Sequence, residues 1–186
     1  MAAALEQQAK HWTYEEYYNL ADDQRYEVIN GNLLLMVPAP DLWHQDWVSD
    51  LHILIKLFVK KHKLGRTFIA PVDVVLDEDN VVQPDLVFVA ANNLRIIERR
   101  AVFGTPDLLV EMVSPSSVRR DRHEKKELYA RFGVREYWIG DAAARSLEIL
   151  TLKAGRYELR CAAKKKGKLA SLVLPGLEFD LADIQG

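Results

Sequence analysis

Two apolar segments of this 186-residue chain each carry one acid, and no other feature limits its folding as strongly. In Val81-Val82-Gln83-Pro84-Asp85-Leu86-Val87-Phe88-Val89, strand alternation puts Asp85 on the face of Val81, Val87 and Val89. The opposite face carries Val82, Leu86 and Phe88, so the segment reads as a strand covered on both sides. Leu108-Leu109-Val110-Glu111-Met112-Val113 repeats the arrangement, with Glu111 between Leu109 and Val113 on one face. An ionised carboxylate in such a place costs several kcal/mol unless a cation or a set of donors compensates. One buried acid is explained by a nearby arginine or by backbone amides. Two on neighbouring strands are better explained by a shared cation, and the hard oxygen ligands favour Mg2+ or Mn2+. A metal held this way activates water and neutralises charge at a phosphoryl centre. The competing reading is two acids paired with lysines in a partly open cleft.

Composition narrows the class. Apolar residues make up 49% and charged residues 28% of the chain, the balance of an ordinary globular protein, and residues 1–186 read as a single domain. The first ten residues lack the apolar core of a signal peptide, and no run approaches the length of a membrane helix, so the expected location is the cytoplasm. Cys161 is the single cysteine, which excludes an intrachain disulfide and argues against a thiolate zinc site. A net charge of −2 argues against a protein that coats nucleic acid through bulk electrostatics. Basic residues cluster locally, from Arg119 to Lys126 and from Lys164 to Lys168. Their plain reading is a solvated helix face and a hairpin loop.

Periodicity predicts the elements. Thr13-Tyr14-Glu15-Glu16 has the form of a capping box ahead of a short helix to about Leu20. Asn30-Gly31 between Tyr26–Ile29 and Leu33–Val37 predicts a hairpin, closed by Pro38 and Pro40. Trp43, Trp47, Leu51, Leu54, Ile55, Phe58 and Val59 mark one face of a helix ending near Gly65. Strands are expected over 67–76 and 81–89, then a short helix over 92–100 and a strand over 106–113. Ser114-Pro115-Ser116-Ser117 offers caps for a helix over 118–132, ended by Gly133, with Glu136–Ile139 as the next strand. Hairpins over 146–152 and 157–162 and a last strand at 172–174 complete the β-rich tail.

Pro84-Asp85, followed 26 residues later by Glu111 at a strand end, resembles the Pro-Asp…(Asp/Glu)-X-Lys signature of restriction-type nucleases. Several segments are more specifically similar to the Uma-two family, formerly a domain of unknown function. They are Tyr26–Gly31, Pro38-Ala39-Pro40 with His44, Val82–Val89, Pro106–Ser116, Asp121…Lys125…Tyr129 and Gly133–Trp138. The resemblance runs in order from about Thr13 to Leu174. It implies a restriction-endonuclease-like α/β (α+β) fold: a mixed sheet flanked by helices, with a hairpin-rich C-terminal part.

Carried over by position, the resemblance makes Asp85 and Glu111 the metal ligands, with Glu27 as the helix-side acid that completes the site. It departs from the superfamily pattern at Val113, where the lysine belongs. Lys125, on the following helix, is the expected substitute; the plain alternative is a solvated lysine paired with Asp121 at i,i+4. His44, Arg119 and Arg120 are candidate phosphate contacts, and Gln83 a candidate outer hydrogen bonder to the site. Asp73 and Asp107 read as turn and strand-end residues, and Tyr129, Tyr137 and Trp138 as core or interface.

The leading expectation is an endonuclease that hydrolyses DNA phosphodiester bonds with a water activated by Mg2+ or Mn2+. The alternatives are a catalytically silent binding or assembly protein on the same scaffold, and a phosphodiesterase acting on RNA or nucleotides. A homodimer is expected, with the β-rich tail or Trp138 as its interface.

Overall fold

The computed structural model describes residues 10–36, 42–114 and 117–184. Pro38-Ala39-Pro40, the expected strand terminator, and Pro115-Ser116 lie outside them.

Helix α1 (Tyr14–Tyr18) starts at Thr13 with both halves of the capping box formed, which together satisfy two amides otherwise left without partners. Strands β1 (Tyr26–Ile29) and β2 (Asn32–Leu35) form the expected hairpin. Asn30 and Gly31 both take positive φ in the turn, 50° and 73°. A Cβ at Gly31 would also collide with the His11 ring, so glycine is needed there twice over. Helix α2 (Leu42–His62) matches the predicted apolar stripe from Trp47 on, burying Trp47, Leu51, Ile55 and Val59, whereas Trp43 is exposed.

The two long expected strands are each broken, and the breaks build the architecture. Residues 67–76 divide into β3 (Gly65–Ile69) and β4 (Val74–Asp77) around Pro71. Residues 81–89 divide into β5 (Asn80–Val82) and β6 (Leu86–Ala90) around Gln83-Pro84-Asp85. Proline has no amide to offer a ladder, so neither segment can continue through it in one sheet. Each segment instead passes from one sheet to another. With β7 (Val102–Phe103), the first sheet has the order β2-β1-β5-β4-β7.

The second sheet contains β8 (Leu108–Met112), β9 (Glu136–Asp141), β10 (Ser146–Lys153) and β11 (Arg156–Lys164) in the order β11-β10-β9-β8-β6-β3. Strands β8 and β9 run parallel and the other pairs in this sheet antiparallel. Between β8 and β9 the chain passes through a π-helical turn, Arg120–Lys125, continuous with α3 (Lys126–Arg131).

Period-two alternation then sorts the second sheet between two cores. Leu86, Phe88, Leu108, Val110, Met112 and Trp138 pack on α2. Val87, Val89, Leu109, Val113, Tyr137 and Ile139 face the other way, toward Leu128 and Tyr129 of α3 and Ile29, Val74 and Val82 of the first sheet. Glu111 is on this second face, between Leu109 and Val113, as alternation predicts. Tyr137 and Trp138 are both fully buried, so Trp138 cannot supply the interface expected of it.

Two further segments differ from expectation. The expected helix over 92–100 is a 3-10 turn, Ala91–Ile96. Leu172–Leu174 is not a strand; β12 (Lys168–Ala170) pairs with β13 (Glu178–Asp180) on either side of it. The amides of Leu172 and Val173 donate to Glu136 instead of to a ladder. No helix among the described residues is long and apolar enough to cross a membrane.

Candidate active site

The two sheets meet where β5 leaves one and β6 enters the other, and the acids gather at that seam. Glu27 reaches it from strand β1 rather than from a helix, 1% exposed, and accepts the Gln83 amide at 2.9 Å. Asp85 sits in the break itself rather than on a strand face, so the alternation argument for its orientation does not apply. Its Oδ2 accepts the Met112 amide at 2.7 Å, which fixes it beside Glu111. Its Oδ1 lies 3.2 Å from Nε2 of His44, in the first turn of α2.

Lys125 is buried at the centre of the cluster. Its Nζ is 2.8 Å from Oε1 of Glu111, 2.8 Å from Oε1 of Glu27 and 3.7 Å from Asp121. The i,i+4 pairing with Asp121 is present, but Lys125 is only 3% exposed, so it is not the solvated pair of the plain reading. Tyr129 also donates to Glu111 Oε1, at 2.7 Å. The π-helical turn carries both Asp121 and Lys125 inward, and Tyr137 ties it to β9 by donating to the Asp121 carbonyl at 3.0 Å. Such local widening of a helix is frequent where side chains must be aimed at a site.

Charge in this cluster is unbalanced. Burial pushes the Glu111 carboxyl well above its usual range; Lys125 pulls it back, while Asp121, Asp85 and Glu27 push it further up. Asp121 is raised for the same first reason, against Lys125 and the hydroxyl of Ser117. Burial also opposes the charge on Lys125, but Glu111, Glu27 and Asp121 outweigh it and hold the ammonium protonated far above the ordinary lysine range. Lys125 is thus shared among three carboxylates, and the cluster opens on a cavity of about 550 Å³. Arg25, His44, Arg120 and Ser117 line the same cavity.

The residue pattern and the fold have counterparts among known proteins. The model of the Uma2 family, described as "Putative restriction endonuclease", matches residues 14–182. The chain belongs to the Uma2 family. Among solved structures, it is similar to a nuclease from Anabaena variabilis, described as putative and assigned to DUF820. That match has a TM-score of 0.75 at 17% identity, covering 92% of this chain and 96% of the other. At that identity the likeness establishes the fold. No curated protein matches the chain.

Within this Uma2 chain the other expected residues are distributed unevenly. Arg120 lines the cavity with its NH1 3.8 Å from Glu27 Oε2, whereas Arg119 is exposed and Arg122 pairs with Glu148. The basic stretch thus contributes Arg120 and Lys125 to the cluster. Gln83 supports Glu27 through its backbone; its side chain accepts from Arg25 and donates to Tyr17 and Asp73. Val113 is core. Asp121, Arg25 and Tyr129 are additions: the i,i+4 spacing of Asp121 and Lys125 was the readable signal, and nothing in the sequence singles out Arg25. Asp107 caps Ala90 and holds Asn93, in keeping with a strand-end role.

Among the described residues no three acids or histidines converge on one point as a metal cage, because the Lys125 ammonium fills the space between Glu27 and Glu111. The donor chemistry still fits Mg2+ or Mn2+. Glu111 uses Oε1 for Lys125 and Tyr129, and no described group bonds its Oε2. Asp85 adds a second hard oxygen, and Mg2+ commonly takes only one or two carboxylates, keeping waters or phosphate oxygens elsewhere.

Proposed function

We propose that this chain is a metal-dependent endonuclease that hydrolyses phosphodiester bonds in DNA. The carrying observation is the position of Lys125. The lysine absent from the strand at Val113 is supplied from the π-helical turn, 2.8 Å from Glu111 and at the cavity that Asp85 also lines.

In this reading Asp85 and Glu111 hold Mg2+ or Mn2+. When bound, the metal lowers the pKa of a water and offsets charge at the phosphate. Lys125 stabilises the charge that grows on the phosphoryl oxygens, in a site where low dielectric strengthens its effect. Glu27, itself fixed by the Gln83 amide and Arg120, orients Lys125. Arg25, Arg120 and His44 line the cavity, the last two in contact with Glu27 and Asp85, and suit the phosphates flanking the scissile bond.

A second cavity of about 570 Å³ adjoins the first across Pro71 and Gln83, with Lys56, Arg99 and Arg100 in its lining. Asp73 and Glu98 line it too, so the joined cavities carry both signs of charge, and it is their combined extent that favours a polynucleotide over a free nucleotide. One observation favours a catalytically silent binding protein instead: Lys125 already bridges Glu27 and Glu111, as an internal counter-ion in a protein without metal would.

Calorimetric titration of wild type and Asp85→Ala with Mg2+ and Mn2+, alongside plasmid nicking, separates the readings. The nuclease binds metal and nicks DNA, and Asp85→Ala does neither while melting at a similar temperature. A wild type that binds no divalent cation, even with DNA present, sinks the nuclease reading and leaves the silent scaffold.

A further inference from the structure

The longest helix has a second face that the fold leaves uncovered. Helix α2 buries Trp47, Leu51, Ile55 and Val59 on one side. On the other, Ile53 is 52% and Leu57 64% exposed, with Trp43 at 67% on the flank. Steps of four and three join Asp46, Asp50, Ile53, Leu57 and Lys60 into one seam, the spacing of a heptad stripe that packs against another helix.

The charges along this seam are segregated. Asp46 and Asp50 stand one turn apart at its N-terminal end; Lys56 and Lys60 stand one turn apart toward its C-terminal end, with Lys61 alongside. Like charges at i,i+4 repel by a few tenths of a kcal/mol on an isolated helix. Among the described residues, none of Asp46, Asp50, Lys60 or Lys61 has an ion-pair partner within the chain. The pattern is complementary to itself in one orientation only. Asp46 and Lys60 each lie seven residues from Ile53, on opposite sides of it. An antiparallel copy related by a two-fold axis at Ile53 places Asp46 against the Lys60 of the other helix, and Lys60 against its Asp46. A parallel copy would stack aspartate on aspartate.

We infer that α2 is the interface of a two-fold homodimer in which two copies pack antiparallel, Ile53 on Ile53, with Leu57 beside it and Asp46–Lys60 pairs at both ends. In a closed two-fold contact each residue pair occurs twice, so a seam that balances charge about its midpoint is what such a contact requires. The inference stands independently of the nuclease reading, because Asp46, Ile53, Leu57 and Lys60 line neither of the two cavities.

Sedimentation equilibrium of the full chain tests it. Wild type is expected at twice the 21.3 kDa chain mass, and Ile53→Glu is expected to weaken the dimer by ~30-fold or more, as loss of a central anchor does. Ile53 is exposed, so this variant keeps its fold, which its melting curve verifies. Asp46→Lys and Lys60→Asp each weaken the dimer, and the double variant recovers it because the swapped pair re-forms across the axis. In a Cys161→Ser background, Ile53→Cys is expected to oxidise to a covalent dimer. A wild-type monomer at high micromolar concentration overturns the inference. So does a dimer indifferent to Ile53→Glu, which would place the interface elsewhere.

Discussion

Glu111 and Glu136 occupy adjacent strands, both nearly inaccessible to solvent, and they solve the problem of a buried carboxylate in opposite ways. Glu136 takes four donors: the Trp138 indole, the Ser171 hydroxyl and the amides of Leu172 and Val173. Every donor comes from the surrounding chain, and the carboxylate clips the C-terminal segment to β9. Glu111 has Lys125 and Tyr129 on one oxygen, three other acids nearby, and a carboxyl pushed upward by burial. The first acid is complete as folded. The second is short of positive charge, and that shortage is what a divalent cation would relieve. Burial alone therefore does not tell these two acids apart; the count of donors does.

The comparison can be broken experimentally. Glu111→Gln should lower plasmid cleavage by ~10³-fold or more, while the melting temperature holds or rises because a poorly compensated charge is gone. Glu136→Ala should do the reverse. It strands two amides and an indole N–H, costing about 3 kcal/mol in urea unfolding, while the folded fraction cleaves at the wild-type rate. Equal effects of the two substitutions on activity and stability would erase the distinction. Lys125→Met should cost about 2 kcal/mol without metal, less than a broken buried pair usually costs because Glu111 can take up a proton instead. Added Mg2+ should recover part of that loss, which thermal melts in metal and in chelator would show.

The smallest expected effect is on pH dependence. Glu111 and Asp121 have carboxyls raised in the folded state. Between the unfolded carboxylate value and the raised folded value, the native chain binds more protons than the unfolded one. Stability from this source is thus complete at low pH and falls as pH climbs through that window. Urea unfolding across the window should show the decline in chelator, and Glu111→Gln should flatten it.

Local chemistry made much of the fold readable. The Thr13–Glu16 capping box, the Asn30-Gly31 turn and the stripe of α2 all depend on neighbours in sequence, and all formed as the pattern implied. Alternation also placed Glu111 on its face correctly, because β8 is an unbroken strand. It failed for Asp85, where the same rule was applied across Pro84. The proline was visible, yet its consequence, a segment shared between two sheets, depends on pairing with β1 and β8 that no local rule supplies. The inward turn of Lys125 was anticipated from its place after the Glu111 strand, but its coordination by Glu27 required the two sheets to be docked. Asp121 was read only as a surface partner because a π-helical turn leaves no clear signature in the residue pattern. Nothing local marks Glu136, because three of its four donors come from a loop 35 to 37 residues away.

The passage of one segment from β5 to β6 has a consequence for the order in which the molecule matures. Glu27 belongs to one sheet, Glu111 to the other, and Asp85 to the thread between them. Neither sheet alone holds the cluster, and a chain still emerging from the ribosome cannot assemble it until residue 125 is free. The acids come together only where the two sheets are docked. A partly made or partly unfolded copy lacks the cluster, which thereby reports on the integrity of the whole fold.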